Sequence, residues 1–506
     1  MGGWKAAALA LGTALVLAGC GGGGLTPAAP RSEKPKRTTV LATAEDDRRA
    51  GEEATRDVVG EFGLLASPAV QAYVQAVGER LARHAPVRTF DYRFQVIQPW
   101  IPNALALPGG AIFISRGVVA LASSEDELAC VLGHEMTHVA RRHASAQQQV
   151  VSMTPFAFGI YGMAQIAAYA REQEREADRG GQQIAAAAGY DPRAMGEILR
   201  KLDQVERLQL GVPQLPNFLE THPSPTERTA AAFTLGEELL FTRQRGIAQG
   251  PEDYLHRIEG MVAGADPSEG VFQGNRFLDP DLDFGMTFPD GWTLVNSPQM
   301  VAGFPPGRVA RLGLESAGPG DDPKVAAGRF LAVEAPEAHA HILDARSVEV
   351  NGKPAFQVET WGPAPGGAMA GQLTWIAHGG SIYRISAVAP SALSERFFGR
   401  ARTMARTFRP LTTEERDSIL VQRLGSARAR GGETLAAFSK RVGNAWDVEQ
   451  TAVFNGILPD TLLASDQLVK IARSEHYRAS PTEPAKDAVP AVLPAPSAGS
   501  GSQPSR

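Results

Sequence analysis

At 506 residues the chain is long enough for three or four domains with separate cores. Its composition is ordinary for a globular protein, and a net charge of -5 gives no argument for nucleic acid as a partner. The 36 prolines and 53 glycines gather partly at the two ends, where they read as linkers.

Met1-Gly2-Gly3-Trp4-Lys5 is a positively charged start, followed by an apolar run from Ala6 to Ala18 that is too short to span a membrane as a mature helix. Leu17-Ala18-Gly19-Cys20 then resembles a bacterial lipobox. The resemblance implies cleavage before Cys20, acylation of its thiol, and attachment to a membrane through an N-terminal lipid anchor. Gly21 in place of Asp favours the outer membrane by the same analogy, on the periplasmic face of the cell envelope. A plain secretory signal with an incidental cysteine is the alternative. Residues 20–50 read as a flexible tether.

From Ala50 apolar residues recur at threes and fours through Val58, Phe62, Val70, Val74, Val77 and Leu81, which predicts a broken pair of helices. Tyr92 to Ile97 reads as a strand. Pro108-Gly109-Gly110 marks a turn, and Ala111-Ile112-Phe113-Ile114-Ser115 is a second strand by content. A strand here could hold an extended peptide by edge pairing, or could merely pack in a sheet.

His134-Glu135-Met136-Thr137-His138 carries the chemistry. On a helix the two histidines lie one turn apart on one face, so both imidazoles can reach one ion. Glu135, one step round, can take a proton from an activated water. Ser124-Glu125-Asp126-Glu127 fits a capping box, and Arg141, Arg142 and His143 close the helix with positive charge. Cys130 reads as a small buried helix residue. Residues 144–170 carry no charge; their length permits a membrane span, but Pro155, Gly159 and Gly162 favour a soluble or membrane-grazing hairpin.

Glu174 and Asp178 share a helical face in Glu174-Arg175-Glu176-Ala177-Asp178. Alone, such a segment is usually a solvated surface. Beside the upstream histidines it supplies what hydrolytic zinc sites need, a carboxylate as third ligand with a position left for water. Asp178 could then orient a ligand imidazole. One zinc ion is the expected cofactor.

Residues from about 55 to 240 resemble the HtpX/BepA-type zinc metallopeptidases, the group that also includes CAAX prenyl proteases. The matching pieces are Asn103 to Gly110, Glu127-Leu128-Ala129 running into the metal motif, Glu174 to Asp178, and Thr221-His222-Pro223. The resemblance implies His134, His138 and Glu174 as ligands and Glu135 as catalytic base. Ala170-Arg171 stands where many members have Ser-Arg. It also implies that His222 can approach the metal, as a fourth ligand or in support of the transition state, with Arg228 a candidate for the same neighbourhood. From its Pro-rich loop alone, His222 reads as a surface or packing residue.

The resulting fold class is multidomain. A mainly α, zincin-like metallopeptidase domain with a small sheet covers 51–245, and a connector 246–274 follows. An α+β, sandwich-like domain over 275–411 includes strand-like runs such as Phe330 to Val333 and has a faint likeness to Mog-one/PsbP-type sandwiches. Residues 424–473, a small βααβ module, resemble LysM, with Ser465-Asp466-Gln467-Leu468 where Gly-Gln is usual; this implies peptidoglycan as a possible partner. Residues 477–506 read as a disordered tail. The expected activity is endopeptidase cleavage of misfolded or unassembled envelope polypeptides. Two rivals stay open: a latent chaperone or scaffold whose zinc is capped by His222, and a zinc hydrolase of non-peptide substrates.

Overall fold

The computed structural model describes residues 43–86, 90–145, 160–209, 222, 225–297, 300–364 and 367–479. The signal-like segment, Cys20, the tether up to residue 42, residues 146–159 of the expected hairpin and the tail from 480 lie outside the described residues.

α1 (Ala44–Phe62) opens on a capping box between Thr43 and Asp46, and α2 (Pro68–Ala82) on Ser67 with Pro68 in the first position, where its missing N–H costs nothing. β1 (Arg93–Ile97), β2 (Ala104–Ala106) and β3 (Ala111–Ser115) form a three-stranded sheet in the order β1-β3-β2, with β1 parallel and β2 antiparallel to β3. This order corrects the expected substrate edge. Ala111, Ile112, Phe113 and Ile114 lie on the central strand, whose backbone is paired on both sides. The outer side of β1 is also taken: the Gln71 side chain bonds both N and O of Val96, Gln75 accepts from Phe94 N, and Leu65 N donates to Val96 O. Among the described residues β2 is the open edge. Asn103 O accepts from Ser115 N and Leu107 N donates to Ala111 O, so the alternate residues Ala104 and Ala106 turn their backbone groups away from β3. Three small or apolar residues before a proline turn gave no sequence signal for this strand.

α3 (Arg116–Leu121), α4 (Glu125–Ala140), α5 (Ile160–Ala187), α6 (Ala194–Gln209), α7 (Pro225–Glu238) and α8 (Pro251–Ile258) complete the helical part. α4, carrying the metal motif, is buried through most of its length. Among the described residues no helix is long and apolar enough to cross a membrane.

The chain then builds two sheets. β4 (Val271–Gln273), β5 (Arg276–Asp279) and β6 (Phe284–Thr287) form the smaller one. β7 (Thr293–Asn296), β8 (Val301–Phe304), β9 (Arg311–Pro319), β10 (His341–Val350), β11 (Lys353–Ala364), β12 (Gly367–His378) and β13 (Ser381–Pro390) form an antiparallel sheet in the order β10-β11-β12-β13-β9-β8-β7. α9 (Pro323–Arg329) packs Ala326 and Ala327 on one face, against Phe356, Val358 and Trp375. α10 (Ser394–Ala405) packs Phe398, Ala401 and Met404 on the other, with Ile376, Tyr383 and Ile385. Phe330 to Val333 is not the strand expected from its composition. Asp322 caps a helix with Pro323 at its first turn, and Phe330–Glu334 continues that helix as a π turn, with Phe330 buried beside Trp375.

After the short α11 (Thr413–Ser418), β14 (Leu420–Arg428), β15 (Glu433–Thr434), α12 (Leu435–Val442), α13 (Val448–Asn455), β16 (Leu462–Leu463) and β17 (Leu468–His476) follow. β14 pairs antiparallel with β17, and β15 with β16. This βααβ unit has its own small core around Leu435, Phe438 and Ile471, but it is also built into the helical part. Leu424, Trp446, Val453, Phe454 and Ala472 share one hydrophobic cluster with α2, α4 and α6. Trp100 stacks on Phe454 at 5.2 Å. The segment ahead of the sheets pairs with β14 at a single bridge, Val262 opposite Arg423, through Gly260 N to Leu424 O, Leu424 N to Met261 O and Ala263 N to Gln422 O. Lys470, buried, donates to the carbonyls of Ala120, Leu121 and Ala122, the open C-terminal acceptors of α3. Residues 265–418 therefore form an excursion from a helical body that closes only with β14 to β17.

Candidate metal centre

The site is set by where α4 begins, where it ends, and how closely α5 crosses it. At the beginning Ser124 Oγ accepts from Glu127 N. Glu127 does not return to Ser124 as a capping box requires; it accepts from Ser123 N and pairs with Lys201 of α6. Buried Glu125 accepts from Tyr73 Oη, Tyr190 Oη, Ile247 N and Ala248 N, which fixes the first turn against three other segments. At the end Arg142 adopts a left-handed φ of 57° and the chain folds back, so that His143 packs edge-on against His138.

The α4–α5 crossing runs over glycines. A Cβ on Gly133 would lie 2.8 Å from Gly181 O, and one on Gly181 would lie 2.7 Å from His134 N. Only residues without side chains let the two backbones approach this closely, and the approach carries Glu174 and Asp178 to the histidines.

His134, His138, Glu174 and His222 each offer a donor atom, all within 4.8 Å of one another. His134 Nε2 is 3.0 Å from His138 Nε2 and 3.3 Å from His222 Nδ1. Glu174 oxygens lie 3.5 Å from His134 Nε2, 3.4 Å from His138 Nε2 and 2.9 Å from His222 Nδ1. Behind them, His134 Nδ1 donates to Asp178 Oδ1 at 2.9 Å. Arg228, buried, grips Asp178 through Nε and Nη2 at 2.7 Å each, and its Nη1 reaches His222 O and Glu174 Oε2. Every site residue named from the sequence in this region thus falls in one cluster. His222, read from its loop alone as a surface or packing residue, is buried in the cluster.

Burial and charge set the electrostatics. Burial works against a proton on His134, but Asp178 and Glu174 outweigh it and raise its pKa to about 9. Burial holds His138 well below the ordinary imidazole value. Burial also pushes Glu174 up, but His222 and His134 overcome it, and the carboxyl stays far below its usual range. Three imidazoles and a carboxylate gather their donor atoms within 4.8 Å of one another. A divalent cation fits the donor set, and its binding releases protons. Glu135 is fully buried, and among the described residues neither of its oxygens has a hydrogen-bond partner, with His222 Nε2 3.7 Å from Oε1. Its pKa is raised by burial. A buried carboxylate without partners is costly unless a ligand completes it.

The sequence missed His143. Residue type places it only among the positive charges that close the helix; it is buried, with Nδ1 2.9 Å from His138 Nδ1. The turn at Arg142 that puts it there has no signature in residue type. Cys130, by contrast, is a buried free thiol as expected.

This donor cluster, on two crossing helices backed by a small sheet, is one that could hold a metal ion, and residues 68–235 match the model of Peptidase family M48. The chain is 28% identical to the Beta-barrel assembly-enhancing protease of Yersinia pestis, over 45% of this chain and 52% of that protein. It is 28% identical to the Mitochondrial metalloendopeptidase OMA1 of Schizosaccharomyces pombe, over 36% of this chain and 58% of that one. The chain spans about half the length of these curated relatives. The family match and the relatives' names support a metalloendopeptidase. A solved structure of PsbP from Synechocystis sp. PCC 6803 is 15% identical and covers 29% of this chain and 98% of its own, at a TM-score of 0.24, too low to assign a fold.

Proposed function

We propose that the protein is a zinc-dependent endopeptidase of the bacterial cell envelope that hydrolyses misfolded or unassembled envelope polypeptides. One observation carries the reading: a fully buried carboxylate, Glu135, with no hydrogen-bond partner among the described residues, beside four converging metal donors. A zinc ion held by His134, His138 and Glu174 would supply a Lewis acid that polarises the scissile carbonyl and acidifies a water. Glu135 takes the proton of the attacking water and returns it to the leaving amine. Asp178 holds the His134 ring through Nδ1, and Arg228 holds Asp178 in turn. An extended substrate lies along the open edge of β2, where Ala106 offers backbone groups not used by β3.

Acylated Cys20 anchors the protein to the outer membrane, and the βααβ unit grips glycan of the peptidoglycan. The lipobox-like sequence and the βααβ order support these two assignments. A second reading is favoured by His222, 2.9 Å from Glu174: the site is latent, held closed by His222, and the protein acts chiefly as a scaffold. Casein cleavage with and without chelator separates the readings. Glu135→Gln is expected to keep zinc and lose cleavage, and His222→Ala to raise it if the site is latent. Undiminished, chelator-sensitive cleavage by Glu135→Gln refutes the peptidase assignment.

A further inference from the structure

We infer that His143 is a positioning residue for the metal centre, holding the ring of His138 as Asp178 holds that of His134. The inference rests on the metallopeptidase reading and adds to it a residue outside the metal motif.

The proton accounting is specific. His138 points Nε2 into the donor cluster, 3.0 Å from His134 Nε2 and 3.4 Å from Glu174. A ligand imidazole binds through a lone pair, so its proton sits on Nδ1, and the partner of that nitrogen fixes the tautomer. That partner is His143 Nδ1 at 2.9 Å. It can accept only if His143 carries its own proton on Nε2. The Nε2 side faces Glu176, with an oxygen at 3.5 Å, and Glu176 is itself held by Arg141 Nε at 2.9 Å. The order is then Glu176, His143, His138, metal, with each N–H pointing outward from the ion toward the carboxylate. Without His143, the Nδ1–H of His138 loses its acceptor.

His143 is placed by more than its neighbours on α4. Arg142, left-handed at φ 57°, pairs with Asp47 of α1 and donates through Nη2 to Thr43 O. Ser145 Oγ donates to the other oxygen of Asp47 at 2.8 Å. Gln173, one residue before Glu174, donates to His143 O at 3.4 Å. The turn is therefore tied to α1 and to α5, the helix of the third ligand, and His143 is 5% exposed. A surface histidine at a helix end needs none of this.

The test uses the full chain and reads zinc affinity by competition with a chromophoric chelator. His143→Leu fills the space and removes the acceptor; His143→Asn places an oxygen close to where Nδ1 stood. Zinc affinity is expected to fall by about 10- to 100-fold in His143→Leu and to return to within a few-fold of wild type in His143→Asn. Unchanged affinity in His143→Leu overturns the inference. Equal weakening in both variants does so too, because the contact is then only packing. Should His143→Leu not fold, 15N-labelled histidine in the zinc-loaded wild type decides. An Nε2–H tautomer on His143 with Nδ1–H on His138 supports the assignment, and Nδ1–H on His143 overturns it. A wild type that binds no zinc overturns the metallopeptidase reading instead.

Discussion

The closeness of α4 and α5 can be tested by adding one methyl group. In Gly181→Ala the new Cβ would sit 2.7 Å from His134 N, against the 3.4 Å at which ordinary contacts begin, so the helices must separate by about 0.7 Å. The obstacle is backbone on a buried helix, which cannot rotate away as a flexible side chain would. Alanine gains about 1 kcal/mol over glycine in a helix, while overpacking costs about 1–3 kcal/mol; the variant should come out level or less stable. The larger effect falls on the site. Asp178 lies one turn before Gly181 and Glu174 two turns before, so separation stretches the 2.9 Å contact between Asp178 and His134. Losing such an outer contact weakens metal binding roughly 10- to 100-fold. Urea unfolding of the metal-free protein and chelator competition measure the two effects. Gly60→Ala in α1 is the control, because a Cβ there meets nothing within 4 Å, and it should gain about 0.5–1 kcal/mol with unchanged zinc affinity. A Gly181→Ala protein more stable than wild type, with wild-type affinity, refutes the reasoning.

Two further outcomes follow from the fold. Lys470→Met keeps the bulk but leaves the carbonyls of Ala120, Leu121 and Ala122 without their donor; it should cost about 1–3 kcal/mol in urea unfolding, and an unchanged midpoint would show that those carbonyls find another donor. Ala106→Pro deletes a backbone N–H that points away from β3, so zinc binding should hold while kcat/KM for an extended peptide falls about 3- to 10-fold, the worth of one hydrogen bond. Unaltered cleavage would move the substrate off β2.

What could be read from the sequence was local. His134 and His138 are four residues apart, and three acids open their helix, so face, ion and dipole follow from spacing alone. Glu174 lies far along the chain but shares a face with Asp178, and a pair of histidines without a carboxylate is an incomplete hydrolytic site. The misses were non-local. Ala111 to Ser115 has the content of a strand, but whether a strand is central or at an edge depends on which others flank it, and β2 had no periodicity to reveal it. Phe330 to Val333 looks extended until the helix begun at Asp322 is seen to run through it. His143 depends on a left-handed arginine, a conformation that residue type does not announce.

The helical body is interrupted by residues 265–418, and this has a consequence in time. Lys470 meets Ala122 across 348 positions of chain. At about 5–20 residues per second, a ribosome finishes α3 roughly 20–70 s before it supplies the lysine that seals its C-terminal end. Trp100 waits as long for Trp446 and Phe454. A nascent or truncated chain can hold the whole His134-to-His138 motif, with Glu174 and His222, and still lack the last wall of the body around it. The delay separates possession of the metal-donor residues from completion of the body around them, which needs the chain through β17.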